Sequence, residues 1–260
     1  MQSASAVNPV RIAVVTGASS GIGAATARAL AREGWRCVLL ARRRERLESL
    51  AAEREVEGEV EVCDVADREA VDRVAAAVLE RHPRIDLLVN NAGIPGRSDF
   101  LTLEPARIEA VLRTNYLGSV WCARAFLPGL AAGSHVVNVV SVAGTVAYGP
   151  AGPYAASKHA QLAFSRSLAA LLRPRGIHVH TVSPGFVETE GFPQRSVLAN
   201  AFFRRAVIGP DDVAAHLLRV VERNRAESFV PRWYRVFAVA QALSPSLVAR
   251  LASRSGYRRG

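Results

Sequence analysis

Two periods of apolar and polar residues alternate along the chain. Short apolar runs rich in β-branched residues fall at 10–15, 36–41, 59–63, 85–89, 135–140 and 177–182. Between them, segments near 21–34, 44–55, 67–81, 104–128 and 154–172 repeat apolar residues at helical spacing. Strands alternating with helices at this spacing predict one parallel sheet covered by helices on both faces. A single α/β domain spanning 1–260 is expected, since no linker, repeat or low-complexity stretch interrupts the pattern. Its core should occupy about 10–190. The stretch 186–205 lacks strong periodicity and is expected to be a mobile flap, and 229–260 forms a C-terminal extension.

In such sheets ligands bind at the carboxyl ends of the strands. The chemistry-bearing residues fall at those ends. Thr16-Gly17-Ala18-Ser19-Ser20-Gly21-Ile22-Gly23 follows the first run and opens the first helix. Gly17 permits a tight turn, Gly21 lets backbone approach a pyrophosphate, and Gly23 allows close helix–strand packing, while the helix N-terminus favours an anion. This strand, glycine loop and helix make the fold a doubly wound, Rossmann-type one, although the spacing is G-x-x-x-G-x-G; a glycine turn without a ligand is the bland alternative. After the second run stand Ala41 and Arg42-Arg43-Arg44, where an NAD site usually places an acid for the ribose hydroxyls. An arginine there suits a 2′-phosphate instead, the alternative being a solvated basic helix start. Asp64, Asn90-Asn91-Ala92-Gly93, Ser141 and Pro184-Gly185 close later strands.

Composition sharpens one further feature. Of 33 basic residues all but one are arginine, and the single lysine is Lys158, four residues after Tyr154. Positions i and i+4 share a helix face, so phenol and ammonium can share a site. A phenol of reference pKa ~10 needs roughly 3–4 kcal/mol of preferential phenolate stabilisation to titrate near neutrality, and a nearby cation supplies much of it. A surface tyrosine and lysine on an amphipathic helix is the competing reading.

With TGASSGIG, NNAG, Asn115, Ser141, YAASK and Pro184-Gly185 in this order, the sequence resembles the short-chain dehydrogenase/reductase family of about 250 residues, over roughly 10–190. The resemblance implies an NADP-dependent oxidoreductase interconverting a carbonyl and an alcohol by hydride transfer. It makes Tyr154 the acid/base, with Lys158 lowering its pKa and holding the nicotinamide ribose. Ser141 would hydrogen-bond the substrate carbonyl, Asn115 support a proton relay, Asp64 contact adenine and Thr189 the nicotinamide amide. The implied cofactor set is Gly17, Ser19, Ser20, Gly21, Ile22, Gly23, Arg42, Asp64, Val65, Asn91, Ala92, Gly93, Tyr154, Lys158, Pro184, Gly185, Val187 and Thr189. Ala41-Arg42 matches the family's NADP(H)-preferring pattern over NAD(H). Ser20 stands where the family often has Arg or Lys, so the 2′-phosphate would rely on Ser20 and Arg42.

The residues expected around the substrate, Ser141, Val142, Tyr148, Tyr154, Phe186 and Phe192, are mostly apolar or aromatic, with Ile94, Pro95 and Val146 nearby and Arg97 and Arg195 within reach. A hydrophobic ketone, aldehyde or alcohol is the expected substrate. A 3-oxoacyl thioester is an alternative, and a non-catalytic nucleotide sensor or scaffold is a second one of a different class. No metal is expected: His178-Val-His180 are read as ordinary strand positions, and no zinc spacing is present. Cys37, Cys63 and Cys122 are scattered and odd in number, which suits free thiols in the cytoplasm. No signal-like or membrane-spanning run is present.

The net charge of +10 is concentrated in 204–260, where eleven arginines face four acids, and this argues against a nucleic-acid surface. From Ser228 onward there is no acid at all. Two placements compete for this basic amphipathic tail: packing on the body or on a sister subunit of a homodimer or homotetramer, or peripheral contact with an anionic membrane.

Overall fold

Strand β1 (Ile12–Thr16) is buried along its whole length. A strand with neighbours on both edges and helices on both faces has no polar side, so IAVVT reads as an unbroken apolar run. The computed structural model describes residues 10–56, 58–96, 100–147, 152–192 and 206–254. Around β1 the sheet is built from β2 (Arg36–Ala41), β3 (Gly58–Val62), β4 (Ile85–Asn90), β5 (Leu130–Val139), β6 (His178–Pro184) and, as a late addition, β9 (Glu227–Val230). All seven strands are parallel, in the order β3-β2-β1-β4-β5-β6-β9. Sequence order reverses between β1 and β4, and the crevice at that switch point is where a doubly wound sheet binds its ligand.

Side-chain alternation divides the core in two. Ala13, Val15, Cys37, Leu39, Leu87 and Val89 point to one face and pack against α1 (Gly21–Arg32), α2 (Arg44–Ala51) and α7 (Pro210–Glu222). Ile12, Val14, Val38, Leu40 and Leu88 point to the other, against α3 (Arg68–Arg81), α5 (Gly118–Phe126) and α6 (Gly152–Leu172). The three cysteines are buried and unbridged, and burial raises their thiol pKa values, Cys63 to about 11.

Two expected elements differ. The long helix over 104–128 is broken into α4 (Pro105–Leu112), a π-turn over Arg113–Leu117 and α5. Asn115 lies in that turn, where the wider winding carries its side chain inward. The helix expected over 44–55 ends at Ala51. Of the expected flap, 193–205 lies outside the described residues, but its roots are fixed by a parallel pairing of β7 (Phe186–Val187) with β8 (Val207–Ile208). The tail is a turn over Arg232–Tyr234 followed by α8 (Arg235–Leu243) and α9 (Pro245–Arg254). Among the described residues no helix is long and apolar enough to cross a membrane.

The switch-point crevice is held open by one hydroxyl. Thr16 Oγ1, buried at the end of β1, donates to Val89 O (3.1 Å) and accepts from Asn91 N (2.9 Å) and Ala92 N (3.0 Å). The Asn91 amide returns the link by donating to Thr16 O (2.9 Å). The glycine loop after β1 and the NNAG turn after β4 are thereby tied together. Thr16→Val should cost about 2–4 kcal/mol in urea unfolding, because two inward N–H groups lose their acceptor, whereas Thr16→Ser should remain near the parent. Equal stability of all three proteins would remove this knot from the account.

Candidate active site

The glycine loop is shaped by what leaves no room for side chains. Gly17 has φ +68°, and a Cβ there would lie 2.8 Å from Ala92 Cα. A Cβ on Gly23 would overlap the Gly17 carbonyl oxygen, so α1 starts directly against the turn. Ser20, the N-cap of α1, makes no capping bond with its side chain. Its hydroxyl, like that of Ser19, turns to Arg43, whose Nη2 donates to Ser20 Oγ (2.7 Å) and Ser19 Oγ (3.2 Å). Such a loop, with a bare helix N-terminus and a guanidinium over it, fits a nucleotide's phosphates. Thr189 crosses above, its methyl 3.1 Å from where a Gly21 Cβ would stand.

The arginine over the loop is therefore Arg43. Arg42, expected at the 2′-phosphate, is exposed at the end of β2 and pairs with Asp64 at 3.6 Å. Arg43 also pairs with Glu190 (3.0 Å), tying the loop to the start of the flap. Adjacent positions at a strand end point to opposite sides, and the run of three arginines hid which one reaches the loop.

The remaining cofactor positions divide by side chain and backbone. Val65 and Val187 are buried in the core, Val65 filling the space that Gly118 leaves open. Ile22, half-buried, packs on the core at the start of α1. Asn91 spends its side chain on Thr16, and a Cβ on Gly93 would meet Asn115 Oδ1 at 3.3 Å. Pro184-Gly185 ends β6, with Gly185 held directly against the Tyr234 ring.

Lys158 is the electrostatic centre. It is 4% exposed, on α6, and has no carboxylate partner among the described residues. Its Nζ donates to Val139 O (2.9 Å) and Gln161 Oε1 (2.7 Å) and lies 5.9 Å from the Tyr154 ring centre. Burial alone pushes its pKa down to about 7. Gln161 passes the contact on: its amide donates to Ser119 Oγ (2.8 Å), which donates to Asn115 O (3.4 Å). The Asn115 side chain clamps Ile94 through both its N–H (2.7 Å) and its carbonyl (3.1 Å), and bonds Ser157 Oγ (3.0 Å). Ser157 in turn donates to Tyr154 O (2.7 Å). Neither Gln161 nor Ser119 was singled out in the sequence. Their spacings from Lys158 and Asn115, i+3 and i+4, are the signal that could have found them.

Ser141 ends β5, and its Oγ accepts from Ala143 N (3.1 Å) at the head of a short 3₁₀ turn that includes Val142. That turn lies against α6, since a Cβ on Gly144 would stand 2.7 Å from Lys158 O. Phe192 places its ring 5.4 Å from that of Tyr154. Phe186 is partly exposed beside Tyr234. Tyr148, Arg97 and Arg195 lie outside the described residues.

These features meet a family pattern. A family model described as short chain dehydrogenase matches residues 11–196. The chain belongs to the short-chain dehydrogenase family. A putative ketoacyl reductase of Streptomyces coelicolor is 40% identical over 68% of this chain and 71% of its own length. A farnesol dehydrogenase of Aedes aegypti is 35% identical over 81% of this chain and 89% of its own. Among solved structures, a single-residue variant of an actinorhodin polyketide ketoreductase with NADPH has a TM-score of 0.75 at 31% identity, covering 85% of this chain and 95% of that one. A short-chain dehydrogenase/reductase from Burkholderia phymatum in complex with NAD has a TM-score of 0.80 at 26% identity, covering 92% and 95%. This short-chain dehydrogenase is thus an oxidoreductase of alcohol and carbonyl groups that uses a nicotinamide cofactor.

Three histidines gather near the opposite end of the dehydrogenase sheet. His135 stacks between His178 and His180, with Nδ1 2.9 Å from His180 Nε2. Burial and the neighbouring imidazoles push the His135 pKa down to about 4, which keeps the ring neutral. No group of side chains able to hold a metal occurs among the described residues.

The Lys158 shift has a sign that stability can report. Its folded pKa of about 7 lies below the unfolded value of roughly 10.4, so between those limits the unfolded chain binds more protons. The penalty for burying the ammonium is full below pH 7 and vanishes as pH rises through the window. Cofactor-free protein should therefore gain on a Lys158→Met variant by up to about 1.4 kcal/mol per pH unit between pH 7 and 9. Parallel pH–stability curves for the two proteins would show that Lys158 keeps its ordinary pKa.

Proposed function

We propose that this chain interconverts a carbonyl and an alcohol on a hydrophobic substrate with NADP(H), Tyr154 exchanging the proton. The observation that carries the reading is the buried Lys158 beneath the Tyr154 ring, with no carboxylate partner among the described residues. A protonated ammonium has three N–H donors, and Val139 O and Gln161 Oε1 take two of them. The third is left for the phenol and the cofactor ribose. In so dry a place a cation lowers the phenol's pKa far more than it would in water. The bound nicotinamide supplies the hydride. Ser141 uses an oxygen lone pair on Ala143 N, which leaves its own O–H to donate to the substrate oxygen. Tyr154 gives its proton to that oxygen as negative charge develops there. Gln161, Ser119 and Asn115 act as positioning residues that hold the ammonium in place.

The preference for NADP(H) over NAD(H) is supported by Arg42 and Arg43 at the end of β2, where no acid stands. The apolar surroundings, with Phe192 against Tyr154, support an apolar chain or ring as substrate. A 3-oxoacyl thioester is the second reading, favoured by the ketoacyl reductase and polyketide ketoreductase relatives.

Tyr154→Phe should abolish turnover while NADPH affinity stays near the parent's, and Lys158→Arg should be severely impaired, because a guanidinium cannot occupy an ammonium's place. The assay is NADPH absorbance loss over a panel of hydrophobic ketones, aldehydes and 3-oxoacyl thioesters. Full activity of Lys158→Arg overturns the mechanism, and no turnover across the panel favours a nucleotide sensor. For the cofactor, Arg43→Ala should weaken NADPH binding by about one to two decades, the worth of a charge-assisted contact, with NADH affinity unchanged. Equal losses for both nucleotides would refute the 2′-phosphate contact.

A further inference from the structure

The tail is anchored at one residue and bare beyond it. Tyr234 is buried: its ring lies on Gly185, its Oη donates to Ala206 O (3.0 Å), and Phe186 N donates back to it (3.4 Å). Along α8, Ala238 and Gln241 are half-buried on the same side as Tyr234. The opposite side carries Val236, Val239 and Leu243 at i, i+3 and i+7, a single stripe. Val236 is 66% and Leu243 81% exposed. Leu247 of α9 is exposed as well, and so are the Trp233 and Phe237 rings, which meet at the foot of the helix at 5.8 Å. A helix that is apolar on its outer side needs an apolar medium there.

Charge decides which medium. From Ser228 to Gly260 the chain carries six arginines and no acid. A two-fold contact between copies sets a patch against itself, which here would put arginine near arginine with no carboxylate to separate them. An anionic lipid surface offers both the hydrocarbon and the opposite charge. Aromatic rings such as Trp233 suit the headgroup level.

We infer that α8 and α9 form a docking face for an anionic bilayer, and that docking sets the mouth of the site at the lipid surface. The anchor makes the second half follow from the first. Tyr234 bonds Phe186 N and Ala206 O and lies against Gly185 at the carboxyl end of β6, so the docked face is fastened to the end of the sheet where the site lies. The inference stands whichever carbonyl the site takes.

The full chain should sediment with vesicles of phosphatidylcholine and phosphatidylglycerol at low salt, and stay in solution with phosphatidylcholine alone. Salt near 1 M, where the screening length falls to ~3 Å, should release it. Val239→Ser with Leu243→Ser leaves every charge in place and removes two surface side chains, so its thermal midpoint should match the parent's. Its vesicle affinity should fall at least about tenfold. No sedimentation of the parent with anionic vesicles overturns the inference. So does undiminished sedimentation of the serine variant, which would leave a charge-only polyanion surface. A serine variant that changes the assembly size in chromatography while binding vesicles as before would assign the face to a second copy.

Discussion

A buried ammonium without a carboxylate is the constraint on which the site depends. Lys158 could have been neutralised by an acid, but a paired lysine would keep an ordinary or raised pKa and give little to a neighbouring phenol. Neutral acceptors, Val139 O and Gln161 Oε1, hold it instead. They orient the group without cancelling its charge. The cost of holding it there is a pKa that burial pushes down to about 7. Gln161, Ser119 and the Asn115 carbonyl continue this neutral chain, so the lysine is steered by dipoles over three elements, α6, α5 and the π-turn.

The π-turn illustrates how local irregularity serves that arrangement. A regular helix through Asn115 would keep the 3.6-residue period and carry the side chain to a different azimuth. The wider turn sends it inward to clamp Ile94 and to reach Ser157. Gly118 then lets α5 close on Val65. The crevice at the switch point is held from the other side by the Thr16 hydroxyl, so both walls are fixed by side chains bonded to backbone groups.

Much of this was legible in the sequence, for definable reasons. Six strands and the helix that carries Tyr154 and Lys158 were readable because burial on both faces leaves unbroken β-branched runs and because apolar residues recur at helical spacing between them. The positions at strand ends followed from the architecture. What stayed hidden depended on orientation rather than identity. Three consecutive arginines do not say which one turns over the loop, and the loop holds Arg43. The π-turn was hidden because nothing in the residues Arg113–Leu117 distinguishes an i→i+5 turn from a regular one. Thr16 looked like the edge of a glycine motif, although its hydroxyl serves three partners. Of the tail, the basic amphipathic character was readable, but which side rests on the body is set by the burial of Tyr234.

Tyr234 has a consequence for how the molecule comes into being. Among the described residues, the glycine loop, the NNAG turn and Thr189 lie before residue 192, whereas the ring that seats Gly185 and fastens Phe186 and Ala206 arrives more than forty residues later. On a ribosome, which delivers residues from the N-terminus at about 5–20 per second, the loops around Gly17 and Asn91 emerge well before β9 and its following turn. The two sides of the crevice are thus separated in time by the order of the chain, and the last to be set is the one that Tyr234 seats.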